Sequence, residues 1–180
     1  MNIRIATPED AAAVHAIYAP LVATTPISFE TEPPAVEEIR RRIETTLPLF
    51  PWLVSLDDAG AVNGYVYAGR YAQRAAYQWS AETTVYIRAD ARGQGVGKRL
   101  YADLLRRLCE LGYCQAFAGI TQPNAASVAL HESLGFTKVG VFHDAGFKFG
   151  RWHGVGYWEL SLQKPAQPAP PRPFAHGRSA

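Results

Sequence analysis

Residues 83–112 constrain this chain more than any other stretch. Thr83-Thr84-Val85-Tyr86-Ile87 is rich in β-branched side chains and reads as a strand. Gly93, Gly95 and Gly97 then fall close together. From Val96 onward Leu100, Leu104, Leu105, Leu108 and Leu111 recur at intervals near three and four, and Gly112 follows. That pattern predicts a strongly amphipathic helix ended by a glycine cap. A strand entering a glycine-rich turn that opens a long helix calls for a sheet with helices packed on it.

The same turn carries chemistry. Glycine lets the backbone approach a ligand closely and take positive φ. The first N–H groups of a helix have no intrahelical partner, and the positive helix end lies behind them. Such a turn suits a phosphate or pyrophosphate, and Arg92 and Lys98 add charge. Two common phosphate loops do not fit. The ATP-type loop G-x-x-x-x-G-K-S/T finds Arg92 where its first Gly belongs and Arg99 where Ser or Thr belongs. The dinucleotide fingerprint G-x-G-x-x-G finds Lys98 in place of its last Gly. What remains is Arg92-x-x-Gly95-x-Gly97.

The other elements are read from caps and periodicity. Thr7-Pro8-Glu9-Asp10 is a helix start, with the helix expected to run to about Ala19. A polar link holding Ser28-Phe29-Glu30 follows. Val36, Ile39, Ile43 and Leu47 mark a second helix. Trp52 to Leu56 and Ala61 to Gly69 form a hairpin around Asp57-Asp58-Ala59-Gly60. Gln115 to Thr121 is a strand, Pro123-Asn124 opens a helix that Gly135 closes, and Phe136 to Val141 and Gly156 to Leu162 are the last strands. The order β-α-α-β-β-β-α-β-α-β-β predicts a mixed α/β domain over 1–162. Five prolines between Pro165 and Pro173 make 163–180 an extended, mobile tail. Trp79 is expected in the core.

Composition narrows the partners. With 180 residues, 48% of them hydrophobic, the chain can bury one sizeable core. A net charge of +2 is too weak to argue for nucleic acid, and Arg40-Arg41-Arg42 reads as a solvated helix face. No apolar run approaches the ~20 residues that cross a bilayer. The N-terminus has no signal-peptide core, so a cytoplasmic protein is expected. Cys109 and Cys114 suit a reducing compartment, and nothing at ligand spacing predicts a metal.

Here the chain resembles the GNAT N-acetyltransferase superfamily. Its cofactor signature, Gln/Arg-x-x-Gly-x-Gly/Ala, sits at the same strand–loop–helix junction. Asn124-Ala125-Ala126-Ser127-Val128-Ala129-Leu130-His131-Glu132-Ser133-Leu134-Gly135-Phe136 is similar to the second cofactor segment of that superfamily, except that His131 stands where most members have Tyr. Ser28-Phe29-Glu30, Ala81-Glu82-Thr83-Thr84-Val85-Tyr86-Ile87, Leu130-His131-Glu132 and Gly146-Phe147-Lys148-Phe149-Gly150-Arg151-Trp152-His153 extend the resemblance to its phosphinothricin acetyltransferase subfamily.

The resemblance implies an acetyl-CoA-dependent transfer of acetyl to the amine of a small amino-acid-like acceptor, in a homodimer. It implies cofactor contacts from Val85, Tyr86, Ile87, Arg92, Gly93, Gln94, Gly95, Val96, Gly97, Lys98, Asn124 and Ser127. It makes Glu82 the candidate general base, because an ammonium acceptor must lose a proton near pH 7. His131 is a candidate acid for the departing thiolate or a structural hydrogen-bonder. Phe29, Glu30, Arg74, Tyr77 and Lys148 are acceptor-site candidates, Lys148 by reaching across a dimer, and arginine suits bidentate carboxylate binding. Trp152 and His153 line the same region or a dimer interface. Two alternatives stand beside this reading: an acyl-CoA sensor without catalysis, which needs no base at 82, and an enzyme for a different amine or a peptide.

Overall fold

Strands and helices follow one another in the order read from the sequence. In this computed structural model, which describes residues 2–174, they are β1 (Asn2–Ile5), α1 (Ala11–Thr24), α2 (Val36–Thr46), β2 (Trp52–Leu56), β3 (Val62–Arg70), β4 (Ser80–Ile87), α3 (Val96–Leu111), β5 (Gln115–Thr121), α4 (Ala125–Glu132), β6 (Thr137–Lys148) and β7 (Arg151–Ser161). They build one seven-stranded mixed sheet in the order β1-β2-β3-β4-β5-β7-β6.

Side-chain alternation divides the sheet into two faces. On β4, Ala81, Val85 and Ile87 join the apolar cluster of α3, with Leu100, Tyr101, Leu104 and Leu108. Tyr86, together with Tyr65 and Tyr67 of β3, joins the cluster of α1 and α2, with Val14, Tyr18, Ile39 and Ile43. Glu82 and Thr84 therefore share the α1–α2 face with Tyr86.

One feature of the topology makes room for a site. β4 and β5 are parallel neighbours, joined through α3, yet they pair only from Ser80–Gln115 to Glu82–Phe117. Beyond that point the β5 edge of β4 has no strand partner. Thr83 Oγ1 donates to Phe117 O at 3.0 Å where the strands part.

Several expectations are corrected. α1 runs on to Thr24 through Pro20 instead of ending near Ala19. The lost amide bond is offset by burial of Leu21 and Val22 beyond the proline. The last two strands are longer than read and form a hairpin closed by Phe149 and Gly150, both at positive φ, the geometry of a type I′ turn. Its Gly, His and Asp residues hide the alternation. Trp79 is only partly buried and donates from Nε1 to Ala169 O at 2.8 Å. Arg42 is half-buried, bonded to Glu30 at 2.6 Å and Glu38 at 2.8 Å, and so is not a solvated charge.

The described part of the proline-rich tail is extended but not loose. Arg172 donates from its backbone to Leu111 O at 2.8 Å and from its guanidinium to Glu110 O at 2.6 Å. These carbonyls end α3 and need donors from outside the helix. Phe174 is 8% exposed and belongs to the α1–α2 cluster. The remainder of the expected tail, 175–180, lies outside the described residues.

Candidate active site

Past the point where β4 and β5 part, the end of β4 borders a cleft of 490 Å³. The glycine loop, the ends of β4 and the start of α4 line it, and Leu21 and Ile27 close it from the α1 side. A second cavity of 100 Å³ lies between the parted strands, lined by Thr83, Tyr101, Gly119 and His131, and shares Ile27, Val85, Tyr86, Asn124 and Ser127 with the cleft.

Gly95 is the N-cap of α3 at φ 77°, and Gly93 has φ 74°. A Cβ at either position would meet nothing within 4 Å, so these glycines are required by conformation and leave the loop open on the cleft side. Arg92, Gly93, Gly95, Val96, Gly97 and Lys98 all line the cleft, as do Val85, Tyr86, Ile87, Asn124 and Ser127. Arg92 is tied back by Nε to Ile87 O at 3.3 Å. Gln94 is the exception: its amide donates to Asp90 O at 2.8 Å, outside the cleft lining. Asn124 caps α4 by accepting from Ser127 N at 3.1 Å. A loop of unpaired amides at a helix N-terminus with two cations beside it fits a pyrophosphate.

His131 is 3% exposed. Its Nδ1 lies 2.7 Å from Ser127 O, which fixes the proton on that nitrogen. Nε2 then faces the Tyr101 hydroxyl at 2.8 Å, and that hydroxyl also lies 3.0 Å from Thr83 Oγ1. Burial lowers the imidazole pKa and opposes a cationic form. Both ring nitrogens are thus occupied by interior partners.

Glu82 lies on the opposite sheet face from this network. Its register neighbours are Gly69 on β3 and Phe117 on β5. Gly69 leaves open space beside it, and Tyr71 stacks on Phe117 at 4.3 Å. The carboxyl keeps solvent contact and makes no hydrogen bond or ion pair among the described residues. Desolvation by its surroundings raises its pKa. The phenols of Tyr67 and Tyr157 are raised by burial first, with the charge of Glu82 as a further cause.

The acceptor-site candidates are not all brought together. Glu30 is near Tyr18, Tyr67 and Tyr86, but its carboxylate is held by Arg42. Phe29 packs on Gly146 and His153. Arg74 lies in the exposed 71–79 loop; its carbonyl accepts from Tyr77 N at 3.0 Å, and its guanidinium makes no hydrogen bond or ion pair among the described residues. Tyr77 is exposed and meets Tyr71 edge-on at 5.7 Å, two rings from Glu82. Lys148 departs furthest from expectation. It is 5% exposed and bonds to backbone carbonyls of its own chain. An ammonium with its three donors used in this way has none left for an acceptor.

Sequence reading missed Tyr67, Tyr71, Phe117 and Tyr157 around Glu82, and Tyr101 beside His131. Alternation on β5 puts Phe117 on a definite face, but only the strand pairing places it beside Glu82. Tyr101 sits one position after Leu100 in a helix whose stripe was read from its leucines.

With this geometry in hand, comparison with known proteins is specific. The model of the acetyltransferase (GNAT) domain matches residues 3–154. Phosphinothricin N-acetyltransferase of Streptomyces viridochromogenes is 40% identical over 173 residues, 96% of this chain and 94% of that protein. The L-methionine sulfoximine/L-methionine sulfone acetyltransferase of Salmonella typhimurium is 32% identical, covering 93% and 98% of the two chains. The crystal structure of a GNAT superfamily phosphinothricin acetyltransferase from Sinorhizobium meliloti in complex with AcCoA superposes with a TM-score of 0.89 at 34% identity, covering 93% of this chain and 92% of that one.

Proposed function

Because the chain belongs to the GNAT acetyltransferase family, we propose that Glu82 is the general base of its reaction, acting on a small amino-acid-like amine at the mouth of the β4–β5 gap. The chain is an acetyl-CoA-dependent N-acetyltransferase of the phosphinothricin and methionine sulfoximine acetyltransferase type. The observation that carries the finer reading is the carboxylate itself. It is unpaired, partly desolvated, and placed where the sheet opens.

Acetyl-CoA supplies an acetyl thioester, activated for attack by an amine. Arg92, Gly93, Gly95, Gly97 and Lys98 would hold its pyrophosphate, and the unpaired edge of β4 would offer backbone groups to its amide-bearing arm. Glu82 takes a proton from the acceptor ammonium, directly or through water, and frees the lone pair that attacks. Its raised pKa makes it a stronger base than an exposed glutamate. The new C–N bond would replace the C–S bond, and the second proton of the attacking nitrogen would pass, directly or through water, to the departing thiolate, so that the products are the N-acetyl compound and free CoA thiol. Tyr67, Tyr71, Phe117 and Tyr157 give the acceptor an aromatic setting. His131 is a positioning residue, since both of its nitrogens face inward.

The acceptors we favour are phosphinothricin, methionine sulfoximine and methionine sulfone. We also propose a homodimer joined through the β6–β7 hairpin, where Val139, Phe142, Phe147, Phe149 and Trp152 are 55–65% exposed. Cys109 and Cys114 are free, which suits a reducing cytosol. Thiol release from acetyl-CoA, measured with these three acceptors, ordinary amino acids and a lysine peptide, tests the assignment. Turnover with one of the three is expected. Turnover with the peptide alone would overturn the acceptor class.

A further inference from the structure

Lys148 is buried at the end of β6, and among the described residues no carboxylate is in contact with its ammonium, although the charge of Glu30 acts on it. Nζ donates to Val22 O at 2.7 Å, Thr25 O at 3.1 Å and Ser28 O at 2.8 Å. Val22 is in the last turn of α1, where carbonyls lack intrahelical donors. Thr25 is the C-cap, and Ser28 lies in the loop beyond. One cation therefore ties a helix end to the loop that leaves it, and the helix dipole favours a positive charge there.

The same hairpin grips the loop a second time. A Cβ on Gly146 would collide with the Phe29 ring, so the ring lies directly on this glycine's backbone. His153 of β7 lies 3.0 Å from Lys148 O through Nε2 and holds the lysine's own backbone. Within the loop, Ser28 Oγ pairs with Tyr18 OH at 2.7 Å and accepts from Glu30 N at 3.2 Å. Ile27, between these anchors, closes the cleft.

We propose that Lys148 is a positioning residue that locks segment 25–30 against the β6–β7 hairpin and so sets the shape of the acceptor side of the site. The consequence for the acceptor rests on the function proposed above, whereas the lock itself does not. Lys148→Met gives a neutral, unbranched side chain only one atom shorter and removes all three donors. The carbonyls of Val22, Thr25 and Ser28 then lose a shared partner, and the loop gains freedom without any change in the glycine loop.

The test combines amide hydrogen exchange on the ligand-free protein with steady-state kinetics of Lys148→Met. The amides of Thr25, Ile27 and Glu30 are expected to exchange roughly tenfold faster or more, while those of α3 keep their wild-type rates. Acceptor KM is expected to rise about tenfold or more, and acetyl-CoA KM by clearly less, because Ile27 of the same segment also lines the cofactor cleft. Unchanged exchange in 25–30 would overturn the lock. A raised acceptor KM with unchanged exchange would return Lys148 to direct acceptor binding. An equal rise in both KM values would make its role general to the fold. If wild type turns over none of the acceptors, the exchange result still decides the lock, and it is the proposed function that fails. Should the Met variant not fold, Lys148→Gln keeps two N–H donors, and faster exchange confined to 25–30 is expected there as well.

Discussion

Glu82 and Phe117 are the last residues paired between β4 and β5, side by side on the α1–α2 face of the sheet. The base candidate therefore stands at the lip of the gap, where one neighbour is an aromatic ring and the other is Gly69.

Glu82→Gln is expected to lower kcat by about 10²–10⁴-fold and to leave acetyl-CoA affinity unchanged. Intact turnover at neutral pH would remove Glu82 from the chemistry. The raised carboxyl gives a second readout. The folded state binds its proton more tightly than the unfolded state, so the stabilising effect is full below the unfolded pKa and is lost as pH rises through the folded one. The Gln variant should therefore match wild type in acid and be the more stable of the two at neutral pH. In wild type, kcat/KM should rise with pH through a pKa above the ordinary carboxylate value.

Gly95→Trp is expected to abolish acetyl-CoA binding. The ring would fill the open side of the loop, and φ 77° is unfavourable for any residue with a Cβ. Calorimetric titration with acetyl-CoA measures this, and unchanged affinity would refute the loop assignment.

Tyr101→Phe removes the hydroxyl shared by His131 Nε2 and Thr83 Oγ1. Leaving a buried polar atom unpaired costs about 1–3 kcal/mol, which urea unfolding can resolve. Turnover should change little if the network only positions. A fall in kcat as deep as that of Glu82→Gln would bring the network into the chemistry.

Phe174→Ala is expected to cost about 3 kcal/mol by the same measurement, because the ring completes the α1–α2 cluster. A change within about 0.5 kcal/mol would mean the segment contributes no more than an ordinary surface residue.

Trp152→Glu puts a charge on the exposed hairpin face and is expected to give a monomer in sedimentation equilibrium where wild type is a dimer. A wild-type monomer would dispose of the interface.

What was legible in the sequence was local. The α3 stripe, Gly95 and the Asn124 cap follow from neighbours a few residues apart, and they delivered the fold and the cofactor cleft. Lys148 could not be read in that way, since its three carbonyl partners are more than 100 residues away and carry no side-chain signature. The tail misled because five prolines outweigh one Phe174 in composition, yet that phenylalanine and Arg172 dock it. Glu82 was legible only by resemblance. Its unpaired state depends on Gly69 and Phe117, which strand pairing alone brings beside it.

The sheet's two faces divide the labour in a way that bears on how such proteins diversify. The glycine loop proposed to hold the pyrophosphate belongs to the α3 side, while the aromatic ring set around Glu82 belongs to the α1–α2 side, with one layer of backbone between them. If Glu82 is the base as proposed, substitutions at 71, 117 or 157 are the ones to re-aim the enzyme toward a new amine, since none of these residues lines the cofactor cleft.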